Sequence, residues 1–270
     1  MDATATEPAY ACGRCGRRLS FRKSVDEDGR ALVCPNGDAT IPVVDGVPRF
    51  PVPDGDSSHE TLFDRLAPIY ESPFWFDPLY RFVGGPAAPR DDRKTVVEML
   101  ELEDIDVADG DTPTVLDVAC GTGRIARPVA AAANVVGIDI SAGMLERAMR
   151  YAARDGVDVA FARMSADDLW FDANAFDRAT CCWALHLLPD PDAVLEEIAR
   201  VLRSDGMFVG TALVEDYVLE LLPVRATAKG VLDVEPFDAT DLRRRLRTAG
   251  FSSVEFDRRG AALFFRARCE

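Results

Sequence analysis

Short apolar runs alternate with amphipathic stretches along the second half of the chain. The runs TVLDVA at 114–119 and VVGIDI at 135–140 are too short for helices and predict buried strands. The stretches between such runs carry apolar residues at helical spacing, and one of them begins after Ser141, a good N-cap residue. Strands that alternate with helices are typical of a parallel sheet with helical crossovers.

Extended over the whole region beyond residue 113, this pattern predicts seven strands and four helices. The strands are predicted at 114–119, 135–140, 158–164, 176–185, 207–214, 254–260 and 261–269. The helices are predicted at 124–133, 141–154 and 192–202, with a last one ending at Gly250. The final two strands are close enough to form a hairpin. The predicted fold class is therefore α/β, with a Rossmann-like, seven-stranded, mostly parallel sheet and a terminal antiparallel hairpin.

The segment at 1–50 follows a different pattern. It is rich in turns and cysteines and ends in IPVVDGVPRF, which predicts a small β-rich ribbon. The segment at 51–60 is rich in Pro, Asp and Ser and predicts a linker. The predicted division is a ribbon at 1–50, a linker at 51–60 and a main domain at 61–270. A unit as small as the ribbon has little core, so it needs a metal or a surface to dock on.

Length and composition agree with this division. The chain has 270 residues, 48% of them hydrophobic, which suits one catalytic domain with a small appendage. We expect no membrane insertion, because no apolar run reaches about 18 residues. We expect a cytoplasmic location, because the N-terminus lacks the basic and apolar regions of a secretory signal. The sequence does not indicate an oligomeric state.

The charge is strongly unbalanced, at −15, and the only lysines are Lys23, Lys94 and Lys229. An acidic, lysine-poor surface is typical of proteins from very salty cytoplasm, where it maintains hydration. A GC-rich genome is the alternative, although it explains the arginines and not the excess of aspartate. A chain this acidic is a poor binder of nucleic acid, because phosphate contacts need cationic side chains.

Three of the seven cysteines fall in the predicted ribbon. Cys12 and Cys15 form a C-x-x-C half-site, and Cys34 and Asp38 stand where a second half-site would be. A tetrahedral zinc site would then use Cys12, Cys15, Cys34 and Asp38, although carboxylates are unusual ligands in structural zinc sites. The alternative is a metal-free ribbon held together by its apolar residues, such as Val47 and Phe50.

A glycine loop follows the first predicted strand of the main domain, in VLDVACGTGR at 115–124. Glycines let the backbone approach a ligand, and the helix that follows exposes its N–H groups. The segment also satisfies the dinucleotide pattern G-x-G-x-x-A, but Asp117 before the glycines would repel a pyrophosphate. Asp139 ends the next strand, where a carboxylate can accept both ribose hydroxyls of a nucleoside. It could instead simply cap the helix at Ser141.

In order and spacing, four segments resemble the motifs of class I S-adenosylmethionine-dependent methyltransferases. They are VLDVACGTG, VVGIDIS, ARMSADDLWFDANAFD and IARVLRSDGMF. The resemblance covers roughly residues 61–270 and is strongest to the ubiquinone and menaquinone methyltransferase branch. The ribbon resembles small zinc-ribbon-like proteins that partner or are fused to methyltransferases.

The resemblance implies roles for individual residues around S-adenosylmethionine. Asp117 would lie near the ammonium group and Asp139 would take the ribose hydroxyls. The other implied contacts are Ala119, Gly121 and Gly123 at the amino-acid end, Trp183 at the methionine end, and Ile140, Met144, Ser165, Ala166 and Asp167 about the adenine. The family often has Gly in place of Ala119 and Asp in place of Ser165, which puts the adenine contact of Ser165 in doubt.

Methyl transfer needs a general base only if the acceptor must lose a proton. His186, after the fourth strand of the main domain, and Tyr70, in a segment that covers the cofactor in related enzymes, are the candidates. A His that bonds a nearby backbone group and a Tyr that packs in the core are the alternatives.

The leading hypothesis is methyl transfer to a small-molecule acceptor. An rRNA or tRNA base methyltransferase is the alternative, supported by a basic cluster in the ribbon (Arg14, Arg17, Arg18, Arg22 and Lys23). An adapter that only binds the cofactor is the third.

Overall fold

A computed structural model describes residues 8–23, 30–52, 67–68, 70–71, 91–105, 111–215 and 236–270. Most of the predicted linker lies outside these residues. The described part contains two sheets, one of four strands and one of seven. No helix in this part is both long and apolar enough to cross a membrane.

The larger sheet has the predicted architecture. Its strands are β5 (Thr114–Val118), β6 (Asn134–Asp139), β7 (Ala160–Arg163), β8 (Phe176–Cys182), β9 (Leu202–Leu213), β10 (Phe251–Arg259) and β11 (Ala262–Cys269). The order is β10-β11-β9-β8-β5-β6-β7, with β5 to β9 parallel and β11 antiparallel to both neighbours. The predicted terminal hairpin is confirmed as β10 and β11.

Side-chain caps start most of the helices. The helices are α1 (Asp92–Met99), α2 (Ala126–Val129), α3 (Ala142–Asp155), α4 (Pro191–Val201) and α5 (Ala239–Thr248). Ser141 caps α3 as predicted, since its hydroxyl accepts the N–H of Met144. Asp190 and Asp238 cap α4 and α5 in the same way. Short 3-10 turns occupy Leu102–Asp104 and Leu185–Leu187.

Helix α2 is shorter than the predicted helix at 124–133. Helical hydrogen bonds join Arg127 to Gly123, Val129 to Ile125 and Ala130 to Ala126. The missing bond in this series belongs to Pro128, which has no N–H to donate. The proline therefore accounts for the later start of the helix, at Ala126, whereas the bond from the Ala132 N–H to the Val129 carbonyl forms a three-residue turn at its other end.

The N-terminal sheet is a four-stranded antiparallel ribbon that docks on the edge of the larger sheet. Its strands are β1 (Ser20–Lys23), β2 (Arg30–Val33), β3 (Thr40–Val44) and β4 (Val47–Pro48). Arg49 pairs in parallel with Arg163 of β7, and the Phe50 N–H donates to the Arg163 carbonyl at 2.8 Å. Ala11 donates to the Trp170 carbonyl at 2.8 Å. The ribbon thus covers an otherwise open sheet edge.

One core runs through both sheets. The rings of Tyr10 and Phe50 from the ribbon lie against Phe171 and Trp170 of the main domain, with centroid separations of 5.3 and 5.4 Å. Phe50 is 2% exposed. The ribbon therefore has the docking surface that a unit of its size requires, whether or not it holds a metal.

We expect Phe50→Ala to destabilise the protein by about 3–5 kcal/mol, because it leaves a cavity between the two sheets. Denaturant unfolding of the full chain measures this. Val44→Ala is the control, since Val44 is a ribbon residue that is 36% exposed. Equal losses in the two variants would show that the Phe50 contact does not join the sheets.

Candidate cofactor site

A cavity of about 380 Å³ lies at the carboxyl ends of strands β5, β6, β7 and β8. Ligands bind at this edge in open α/β sheets. Of the residues proposed to bind the cofactor, those in the lining are Ala119, Gly121, Asp139, Ile140, Met144, Ser165, Ala166, Asp167 and Trp183. Tyr70 lines it as well. The structure therefore brings together residues from separate segments of the chain.

The carboxylate of Asp139 ties two of these segments together. One oxygen accepts the N–H of Gly121 at 2.8 Å, and the other accepts the N–H of Ser141 at 2.8 Å. Asp139 also lines the cavity. The capping role and the ligand-binding role, posed as alternatives from the sequence, are therefore geometrically compatible.

The glycine loop needs left-handed backbone at three positions, with φ of 52° at Ala119, 54° at Gly121 and 73° at Gly123. Glycine adopts this conformation without strain, whereas alanine does not, so Ala119 is the costly position. Gly121 lines the cavity. A side chain at Gly123 would lie against Phe161 and Ala148, so this glycine serves the turn and its packing.

Asp117 lies behind the loop and is 2% exposed. Its carboxylate accepts the Thr180 hydroxyl at 2.7 Å and the Ala126 N–H at 3.1 Å. Burial raises the pKa of Asp117 to about 7, and the nearby Asp139 adds to the rise. Asp117 is not among the described residues that line the cavity. Its bonds to Thr180 and Ala126 instead fix the loop from behind.

The side proposed to face the adenine continues from β7. Met164 donates its N–H to the Asp139 carbonyl at 3.2 Å, which places the following residues beside Asp139. The hydroxyl of Ser165 donates to the carboxylate of Asp167, and both residues line the cavity. A hydroxyl that donates its proton still has lone pairs that can accept a hydrogen bond. The Ser165 hydroxyl oxygen and the Asp167 carboxylate are therefore both hydrogen-bond acceptors in the cavity lining.

A buried ion pair supports the opposite end of the cavity. Arg124 donates to both oxygens of Asp92, at 2.9 and 2.5 Å, and the Trp183 indole donates to Asp92 at 2.9 Å. Asp92 is fully buried. Sequence reasoning missed Asp92 and Arg124. Arg124 directly follows the glycine loop, but no sequence pattern connects it to an aspartate that begins a separate, earlier helix.

Tyr70 and His186 occupy different environments. Tyr70 lines the cavity, and burial raises its pKa to about 12, so its hydroxyl keeps its proton at neutral pH. His186 is buried, and its Nδ1 accepts the Leu213 N–H at 3.4 Å. Burial lowers the His186 pKa to about 4. His186 is not among the described residues that line the cavity. Its bond to the Leu213 N–H agrees with the alternative to a base role, a histidine that bonds a nearby backbone group.

Cys12, Cys15, Cys34 and Asp38 converge in the ribbon, with one ligand atom from each within 4.8 Å of the others. The sulfurs of Cys15 and Cys34 are 3.4 Å apart. Three sulfurs and one carboxylate oxygen at these separations fit a four-coordinate zinc ion.

Known proteins resemble the segment that builds the cavity. A family model described as "Methyltransferase domain" matches residues 115–206. An O-methyltransferase, cnsE, of Penicillium expansum is 30% identical over 204 residues, covering 74% of this chain and 71% of the relative. A demethylmenaquinone methyltransferase of Symbiobacterium thermophilum is 42% identical over 101 residues, covering 35% of this chain and 40% of the relative.

A solved structure shares the fold at low identity. It is Haemonchus contortus phosphoethanolamine N-methyltransferase 2, in complex with phosphomonomethylethanolamine and S-adenosylhomocysteine. The TM-score is 0.61 at 16% identity, over 76% of this chain and 57% of that chain.

Asp117 and His186, both buried, should give opposite pH dependences of stability. The Asp117 pKa is raised from 3.8 to about 7, so its stabilising contribution is lost as the pH rises through 7. The His186 pKa is lowered from 6.5 to about 4, so its contribution is lost as the pH falls through 4. Each pKa unit corresponds to about 1.4 kcal/mol.

Relative to wild type, Asp117→Asn should therefore gain stability as the pH rises from 4.5 to 7.5, and His186→Gln should lose it. Urea unfolding at several pH values measures this. Asp158→Asn, at an exposed position, is the control. If the unfolding free energies of both variants changed with pH in parallel with that of wild type, the shifted pKa values of Asp117 and His186 would be contradicted.

Proposed function

The chain belongs to the class I S-adenosylmethionine-dependent methyltransferases, and we propose that it methylates a small-molecule acceptor. The observation that carries the proposal is the cavity at the strand ends, with Asp139 and the glycine loop in its lining. One relative described above is named as an O-methyltransferase and the other as a demethylmenaquinone methyltransferase. The match covers only 40% of the second relative, so the substrate in its name is not assigned to this chain.

The lining residues suit the parts of S-adenosylmethionine, which when bound supplies a methyl group already activated by a sulfonium. Asp139 would accept the ribose hydroxyls, while Ile140 and Met144 would pack on the adenine. Ser165, Ala166 and Asp167 would face the adenine edge. Ala119 and Gly121 would contact the amino-acid end and Trp183 the methionine end, with Asp117 and Gly123 acting through the loop.

Positioning is the main catalytic task of the protein, because the methyl group needs no further activation. Tyr70 keeps its proton, so it would orient a ligand by donating a hydrogen bond rather than by removing a proton. A base role for His186 stays a prediction, and it would require the imidazole to act from outside the described lining.

The apolar part of the lining favours a small acceptor over a nucleic acid. Leu187, Leu188, Pro189 and Val194 contribute to it. The alternative RNA substrate is supported by four exposed arginines of the ribbon: Arg14, Arg17, Arg18 and Arg22. A methyl-transfer screen in high salt, against quinone precursors, metabolite pools and unmodified rRNA, separates the two. Turnover of rRNA alone would overturn the proposed substrate class.

We also propose that the protein works in a reducing, salt-rich cytoplasm. None of the seven cysteines forms a disulfide. Free buried thiols are typical of reducing compartments, and the charge of −15 suits high salt.

The ribbon at 1–50 is proposed as an auxiliary unit with a structural zinc ion bound by Cys12, Cys15, Cys34 and Asp38. The converging donor atoms support this proposal. We propose that the ribbon is dispensable for cofactor binding, because the glycine loop, Asp139 and the segment at Ser165 all lie in the main domain. Its contacts with Trp170 and Arg163 predict that its removal lowers the stability of that domain.

Elemental analysis of the purified chain should give one zinc per molecule. Cys15→Ser should abolish it, because three ligands hold zinc much less tightly than four. Cys269→Ser is the control, since the Cys269 thiol donates to the Ala199 carbonyl, away from the ribbon. A metal content unchanged by Cys15→Ser would exclude this ligand set.

Calorimetry should show binding of S-adenosylmethionine or S-adenosylhomocysteine and no binding of NAD. Asp139→Asn should weaken cofactor binding by about 1.5–3 kcal/mol, the scale of hydrogen bonds to a charged group. Asp158→Asn should bind like wild type. NAD binding without S-adenosylmethionine binding would refute the proposed function, and wild-type affinity in Asp139→Asn would refute the role of Asp139.

A further inference from the structure

Glu71 contacts the glycine loop although the two lie far apart in the sequence. Both of its carboxylate oxygens accept from Nη2 of Arg127 at 2.6 Å. The oxygen Oε1 also accepts the Thr122 hydroxyl at 2.5 Å. The Glu71 side chain is 17% exposed and that of Arg127 is 7% exposed, so this is a largely buried ion pair.

Arg127 is held in place by contacts other than Glu71. Its Nε donates to the Gly123 carbonyl at 3.1 Å, and its Nη1 donates to Asp155 at 2.5 Å. Its guanidinium lies over the Tyr151 ring, 5.1 Å from the centroid. The Arg127 guanidinium is therefore held by residues at 123–155 and keeps Asp155 as a carboxylate partner when Glu71 moves away.

The residue before Glu71 is Tyr70, which lines the cavity. Two consecutive residues cannot move independently, so the position of Glu71 limits the position of Tyr70. Thr122 lies between Gly121, which donates to Asp139, and Gly123, which accepts from Arg127. The Glu71 contact thus connects two parts of the cavity lining, Tyr70 and the glycine loop.

We propose that Glu71, Thr122 and Arg127 form a latch that holds Tyr70 over the cofactor cavity and sets how long the cofactor stays bound. These are positioning residues that act through Tyr70 and the glycine loop. The inference rests on the proposed function, because it assumes that S-adenosylmethionine occupies this cavity. Opening the latch separates Glu71 from Arg127, and Asp155 then remains as the partner of the guanidinium.

The latch predicts faster cofactor release when Glu71 is neutralised. Glu71→Gln in the full chain should raise the S-adenosylhomocysteine dissociation rate at least tenfold, with a smaller change in the association rate. Stopped-flow tryptophan fluorescence measures both rates, since Trp183 lines the cavity, and calorimetry gives Kd. Thr122→Val should raise the dissociation rate less, and the double variant should show non-additive effects.

Glu146→Gln is the matched control, because Glu146 pairs with Arg150 on the exposed surface of α3. It should leave both rates unchanged. A merely structural role for Glu71 would lower the melting temperature and leave the dissociation rate at the wild-type value, which would overturn the latch. A wild-type chain that binds no S-adenosylhomocysteine would instead overturn the proposed function on which the latch rests.

Discussion

Backbone N–H groups beyond the ends of β5 and β6 have no partner in the sheet, and two aspartate carboxylates satisfy them. Asp117 accepts from Ala126, and Asp139 accepts from Gly121 and Ser141. An unsatisfied buried N–H is costly, so these bonds fix the loop between strand and helix. The shape of the cavity depends on this loop. The two aspartates differ in burial: Asp117 lies behind the loop, whereas Asp139 reaches the cavity.

The parts of this site that depend on local sequence were predictable. The strand, the two glycines and Asp139 lie within one continuous segment, and the spacing of apolar residues with the capping Ser141 places each of them. The later start of α2 was also predictable from the sequence, since Pro128 lies in the first turn of the predicted helix. The missed contacts join distant residues, such as Asp92 to Trp183 and Glu71 to Arg127. A single sequence carries no pattern that pairs residues this far apart.

Docking of the ribbon changes what its metal site could contribute. Sequence reasoning posed metal and docking as alternatives, but the aromatic contacts and the pairing with Arg163 attach the ribbon without any ion. A metal would instead act on the loop that carries Cys12 and Cys15. Gly13 of that loop lies so close to Trp170 that an added Cβ would come within 2.9 Å of the indole. A closed metal site would keep this loop flat against the main domain.

Arginine performs the buried cationic roles in this acidic chain. Arg124 and Arg127 hold carboxylates beside the glycine loop, and Arg178 donates to the Leu100 carbonyl in the core. The planar guanidinium suits such paired contacts better than an ammonium group does. Salt screens exposed pairs such as Arg150 with Glu146 far more than these buried ones. In concentrated salt the surface ion pairs would therefore weaken first, while the contacts that shape the cavity would persist.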